Sequence, residues 1–420
     1  MRNITSLLIG FGCSAALLSS SLMAQAIEVA APESVGMSSS ALQLATDRLQ
    51  RHIDEGDIAG VSAAVLRRGK LVYFESLGLM DIELHKPMSD DALFRQYSMA
   101  RQITSAATLM LYEDGHFQLD DPISKFLPEF ETQAVLIDAS NGDINQTKQR
   151  ISDITVANLL THTSGLGSRS SAMYRAENVR DRSISLEQMV SNAARVPLFE
   201  QPGTRFRYGI SATILGRLIE VWSGLSLEEF LQSRLYGPTG MTDTLFWANS
   251  EQAERLAQLY RPTDGKLIPY QIETIPFTQN PTLREGGVGL LSTMADYLRF
   301  SQMILNRGEL NGRRVMAADT VELMFANAIP DSVLPIGSRG YMAGSGWTLG
   351  GFNIAMDISQ YDHPVSEGTI WWDGSAGTRY WIDDQQEMVI VIMAQISPSR
   401  GNSFRENFKR LVDGAITERQ

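Results

Sequence analysis

The residues best suited to chemistry sit in the run Phe94-Arg-Gln-Tyr-Ser-Met-Ala-Arg-Gln-Ile-Thr104. Beyond Ser98, the apolar residues Ile103, Ala107, Met110 and Leu111 recur at helical spacing and stop before Asp114-Gly115. The spacing predicts a buried helix with Ser98 as its first residue. A hydroxyl there feels the positive end of the helix dipole and lies among unpaired backbone N–H groups, both useful to a developing oxyanion. Arg101, three residues on, shares the face of Ser98. A serine at a helix start is more often a plain N-cap, so the pair acquires meaning only from its company.

The elements that must position this run are legible at both ends of the chain. Ser38 to Ser40 offer an N-cap for a helix carrying Leu42, Ala45, Leu49 and Ile53. Strand-like runs follow at Val61–Leu66 and Leu71–Ser76, joined by the turn Arg67-Arg68-Gly69-Lys70. From about Ala92 to Glu285, helix and loop signals dominate. Strand signals return around Gly346–Met356, Thr378–Ile382 and Met388–Ala394, the last apolar on both faces as a central strand would be. An amphipathic helix bearing Phe404, Phe408, Leu411, Val412 and Ile416 closes the chain. Strands at both ends around a helical middle predict one sheet built from the two termini, which then lie close together. The expected α/β organisation is a sheet lobe of residues 27–91 plus 286–420 and an inserted, mostly helical lobe of 92–285.

Residues 1–26 read as a secretory signal: Arg2, an apolar stretch from Leu7 to Met23, then Ala24-Gln25-Ala26 at the cleavage position. Gly10, Gly12 and Ser19 to Ser21 interrupt the stretch and argue against a retained anchor. The expected location is periplasmic or secreted, with no membrane segment in the mature chain. Cys13, the single cysteine, lies within the leader, leaving no disulfide, thiol nucleophile or thiolate metal site beyond it. The net charge of −12, or −13 without Arg2, disfavours nucleic acid as a partner. His52, His85, His116, His162 and His363 show no pair at helical metal-ligand spacing, so these residues call for no metal, and no cofactor is expected.

Further phrases accompany Ser98 in order: Leu159-Leu-Thr-His-Thr-Ser-Gly-Leu166, Pro202-Gly-Thr-Arg-Phe-Arg-Tyr-Gly-Ile210, Gly237-Pro-Thr-Gly-Met-Thr-Asp-Thr244, Glu285-Gly-Gly-Val-Gly-Leu-Leu-Ser-Thr293 and Trp372-Asp-Gly-Ser-Ala-Gly-Thr378. Together they resemble the serine β-lactamase and penicillin-binding superfamily, most nearly its class C-like esterase branch, from about Gly36 to Gln395. The resemblance implies an antiparallel sheet flanked by helices. It also implies acyl transfer to Ser98 from a small ester or acyl substrate, with Tyr208 handling the proton. It places Trp372, Asp373, Gly374 and Ser375 on the substrate-binding third motif, and assigns the oxyanion to the N–H groups of Ser98 and Ser375.

Three residues depart from that pattern. Arg101 stands where the family has lysine; it stays protonated and cannot be a general base. Its charge beside Tyr208 is expected to lower that phenol's pKa and make phenolate the base. Ile210 replaces the second-motif asparagine, removing an amide contact. Asp373 puts negative charge where β-lactamases hold a cation, so penicillins should bind poorly. Some residues have plainer readings: His162 and Ser164 as structural, and the tryptophans between Trp347 and Trp381, Trp372 excepted, as sheet packing. The leading function is a carboxylesterase-type serine hydrolase; the alternative is a binding protein that has lost its base. An amide-directed peptidase or lactamase ranks last.

Overall fold

The computed structural model describes residues 27–140, 143–179, 181–338, 340–361, 363–399, 401 and 403–418. The leader read at 1–26 lies outside them. Among the described residues no helix is long and apolar enough to cross a membrane.

The first helix, α1 (Ser39–Asp54), is capped by Ser38, whose hydroxyl accepts from the Ala41 N–H. Then come β1 (Gly60–Arg67) and β2 (Lys70–Asp81), a hairpin turning at Arg68-Gly69, where both residues take positive φ, and a short β3 (Lys86–Pro87). The helix after Ser98 is α2 (Ala100–Glu113). Two more helices matter for the site, α3 (Ser211–Ser223) and α4 (Met294–Leu305). The chain then returns to the sheet as β4 (Ser345–Trp347), β5 (Asn353–Ala355), β6 (Ile370–Asp373), β7 (Thr378–Asp383) and β8 (Met388–Ala394), and closes with α5 (Phe404–Gly414).

The strands form one antiparallel sheet in the order β4-β5-β6-β7-β8-β1-β2-β3. The joint between the two chain ends is the pairing of β8 with β1, from Val61 opposite Ala394 to Arg67 opposite Met388. Every residue of both strands is buried, which explains their continuous apolar reading. The ends meet as expected: Ser38 N–H donates to Ala415 O at 2.8 Å, and α1 packs along α5.

Two expectations need correction. The run 346–356 is two short strands, because Thr348 to Phe352 turn the chain: Thr348 N–H donates to Phe352 O, and Gly351 takes φ +76°. Trp372 and Asp373 do not merely precede a strand; they end β6, whose Trp372 pairs with Tyr380 and Asp373 with Arg379. The short, aromatic sequence Ile-Trp-Trp-Asp hid this strand because all but its last residue are buried, giving no alternation.

Helix α2 is buried on all sides from Ala100 to Leu111, beyond the stripe its apolar residues predict. Its polar side chains compensate by bonding backbone carbonyls: Thr104 to Gly286 O at 2.7 Å, Thr108 to Thr104 O at 2.9 Å, and Gln102 to Gly351 O.

Candidate active site

Ser98 lies in a single 3-10 turn, Tyr97–Met99, that leads into α2, rather than in the α-helix itself. Two segments clamp this turn. Phe94 and Arg95 pair with Ser292 and Leu291, at the end of the Glu285–Thr293 phrase. Gln96 N–H donates to Leu290 O at 2.9 Å, and from α4 the Tyr297 hydroxyl donates to Met99 O at 2.9 Å. Tyr97 is held at φ +45° with its ring buried, a costly conformation for a bulky residue that the clamp must enforce.

Tyr208 enters from the turn before α3. Its backbone is laid against the Leu159–Gly167 segment: Arg207 N–H donates to His162 O at 2.8 Å and Ile210 N–H to Gly167 O at 3.1 Å. A Cβ on Gly209 would lie 2.3 Å from Gly167 O, so only glycine permits this approach. Trp372 arrives on β6 and donates its indole N–H to the Tyr208 oxygen at 2.9 Å. The Ser98 side chain lines the same cavity as this phenol and is close enough to favour its ionised form. Gly374 is the tight point between strand and nucleophile turn, since a Cβ there would sit 2.3 Å from Gln96 O.

Ser98, Tyr208, Trp372, Asp373 and Ser375 thus line one cavity of 370 Å³, joined by Phe206 and by the segment Ser397–Ser399. Gly374 and Arg101 are buried behind it. The Arg101 guanidinium lies over the Tyr208 ring, its carbon 4.3 Å from the ring centre, and donates to Gly209 O at 2.7 Å. Ile210 points into the core rather than the cavity.

The electrostatics correct one expectation. Burial pushes the Tyr208 phenol above its usual range; the Arg101 charge, the nearby Ser98 hydroxyl and the Trp372 N–H pull it down, but less. Arg101 therefore limits the rise without producing a net fall. Burial drags down the Arg101 guanidinium in turn, opposed by Tyr208 and Glu285. His162, tilted against Tyr208 with ring centres 4.6 Å apart, is kept neutral by burial and then by Arg101. It serves as a packing wall with Trp347.

Asp373 also differs from expectation, because its charge does not stand alone. Its carboxylate accepts from Arg379 at 3.2 Å and Arg405 at 3.3 Å, both buried. Trp372 and Asp373, adjacent on a strand, face opposite sides: one meets the phenol, the other two guanidinium groups.

The sequence reading missed Glu285 as a charge partner. It is buried, accepts from the Thr213 hydroxyl at 3.1 Å and lies 3.7 Å from Arg169, which also pairs with Glu273 at 3.2 Å. Its signal was an acidic residue heading a glycine run that flanks the buried arginine; a Cβ on Gly287 would lie 3.8 Å from Arg101 Nη1.

Comparison with known proteins comes to the same fold. The family model described as Beta-lactamase matches residues 45–413. Protein Rv1367c of Mycobacterium tuberculosis is 30% identical over 355 residues, covering 82% of this chain and 88% of its own. Esterase EstB of Burkholderia gladioli is 27% identical, covering 81% of this chain and 86% of its own. Among solved structures, EstCE1, described as a hydrolase with promiscuous acyltransferase activity, superposes with a TM-score of 0.77 at 24% identity, covering 89% of this chain and 98% of that one.

Removing the Asp373 charge should leave Arg379 and Arg405 short of a counter-ion. Asp373→Asn is expected to lower the unfolding free energy by about 2 kcal/mol, read from urea denaturation. An unchanged midpoint would show that the two arginines do not depend on it.

Proposed function

This chain belongs to the Beta-lactamase family, and on that footing we propose that it is a carboxylesterase-type serine hydrolase, acting on small or activated esters through an acyl-Ser98 intermediate. The observation that carries this reading is the convergence of Ser98, Tyr208 and Trp372 on one 370 Å³ cavity, with the Trp372 indole N–H donating to the Tyr208 oxygen at 2.9 Å. A relative named as an esterase supports the choice of ester, as does the absence of a second-motif asparagine at Ile210.

Ser98 Oγ attacks the ester carbonyl carbon as its proton passes to the Tyr208 oxygen. Only phenolate can accept that proton, because Arg101 has no free lone pair. Arg101 over the ring and the Trp372 N–H each favour the negative oxygen. The N–H groups of Ser98 and Ser375 take the developing oxyanion. Tyr208 returns the proton to the leaving alkoxide, and water releases the acyl group by the same steps reversed.

A p-nitrophenyl acyl ester is expected to give a burst and one added acyl mass on Ser98, both lost in Ser98→Ala. The raised phenol fixes the pH dependence. With the Tyr208 midpoint above the usual tyrosine value of about 10, the small phenolate fraction grows steadily below it, so acylation should still be rising between about pH 8 and about pH 10. A flat profile there removes Tyr208 as the base, and no adduct at any acyl chain length removes the esterase reading.

A second reading, a binding protein on the same fold, is favoured by two observations: burial suppresses the phenolate, and Arg101 cannot replace a basic lysine. The two part company at Arg101→Lys. The esterase reading expects the wild type to be the faster enzyme, by roughly tenfold or more, since Gly209 O and the Tyr208 ring are fitted to a guanidinium. A silent wild type beside an active Arg101→Lys favours the binding protein.

A further inference from the structure

A second cavity, of 240 Å³, borders the nucleophile turn and shares no lining residue with the Ser98 cavity. The segment 269–277 supplies most of its lining; Arg95, Tyr97 and Gln258 supply the rest. Arg95 is half-buried and is engaged at one nitrogen, Nη1, which donates to Ala257 O at 2.6 Å and to Gln395 Oε1 at 3.2 Å. Its Nε and Nη2 have no partner among the described residues, and neither is sealed from solvent. No described carboxylate pairs with this cation, in contrast to Arg169, Arg379 and Arg405. The Phe277 ring centre lies 5.9 Å from its guanidinium carbon. The Tyr97 hydroxyl also lacks a hydrogen bond and keeps access to the cavity. Burial pushes that phenol's pKa up, so it stays a neutral donor. Glu273, the acidic residue of the lining, is already held by Arg169 at 3.2 Å.

We propose that this cavity is a binding site for a short-chain carboxylate, separate from the Ser98 cavity and independent of whether Ser98 is acylated. The two carboxylate oxygens accept from Arg95 Nε and Nη2, one planar edge of the guanidinium that matches a carboxylate in geometry. The Tyr97 hydroxyl donates to one of them. This pairing gives the half-buried cation a counter-ion, and charge-assisted bonds of this kind are about twice as strong as neutral ones. The alkyl chain lies against Ile272, Pro276 and Phe277. The small volume limits the length of that chain. An added ammonium group gains nothing, because the Glu273 carboxylate is committed to Arg169. Set against the cost of association, these contacts place the affinity in the millimolar range. Tyr97 immediately precedes Ser98, so the site touches the nucleophile's turn without opening into its cavity.

The test is a ligand-observed NMR titration of the full chain with butanoate, its neutral amide butanamide, and 4-aminobutanoate, at fixed ionic strength. Butanoate is expected to saturate in the millimolar range, with butanamide weaker by at least about tenfold and 4-aminobutanoate no tighter than butanoate. Arg95→Gln, which keeps a donor for Ala257 O, should weaken butanoate by at least about tenfold. Gln271→Trp, at an exposed lining position, fills the mouth of the cavity and should do the same; it decides alone if Arg95→Gln fails to fold. Phe206→Trp, which narrows the nucleophile's cavity, should leave butanoate binding unchanged. The proposal is overturned by no saturation at millimolar butanoate, by equal affinity for butanamide, or by tighter binding of 4-aminobutanoate. It is equally overturned by unchanged binding in folded Gln271→Trp, or by loss of binding in Phe206→Trp instead.

Discussion

A buried guanidinium governs this structure. Arg101 is 3% exposed, sits over the Tyr208 ring and gives one hydrogen bond to Gly209 O. A charge so placed must be answered, because desolvation of an unpaired cation costs several kcal/mol. The reply is distributed. The ring face supplies a cation–π contact, Gly209 a carbonyl, and Glu285 a carboxylate fixed by Thr213 and Arg169. The glycines around it are part of the same arrangement: Gly209 lets the backbone pass Gly167, and Gly287 leaves room for the Thr213 hydroxyl, which a Cβ there would approach to 2.8 Å. Tyr208 is caught between opposing effects, raised by burial and held back by the arginine.

The two faces of β6 divide the electrostatics of the molecule. Trp372 meets the phenol with an N–H, a neutral donor, while Asp373 turns to Arg379 and Arg405. The nucleophile cavity is therefore bordered by a charge that is already compensated. The sequence expectation that Asp373 would repel a carboxylate loses its basis here, since two buried arginines share that carboxylate. This compensation also leaves Arg379 and Arg405 with unspent donors on the far side of the strand.

Much of this was legible in the sequence, and what was lost had physical reasons. Val61–Leu66 and Met388–Ala394 read as strands because burial on both faces writes long apolar runs, and their pairing joins the chain ends. Ser98, Tyr208 and Trp372 were read from ordered phrases far apart in the chain, and the structure brings the three side chains to one cavity. Helix α2 was seen as a stripe because polar residues such as Thr104 and Gln102 hide their burial behind bonds to distant carbonyls. Glu285 and the partners of Asp373 escaped because ion pairs form between positions far apart in the chain, and no local period encodes them. The net direction of the Tyr208 shift escaped for a related reason: the arginine's pull follows from neighbourhood, whereas desolvation follows from the packing of His162, Trp347 and Trp372 around the ring.

The central claim, that Arg101 acts on Tyr208 through its charge, is tested most directly by titrating the phenol itself. Tyrosine labelled with carbon-13 at Cζ would report the ionisation of Tyr208 in the wild type and in Arg101→Met, with Tyr208→Phe assigning the signal. Removing the charge should move the Tyr208 midpoint to higher pH, because the one cation opposing desolvation is gone. A midpoint equal to or lower than that of the wild type would contradict the account.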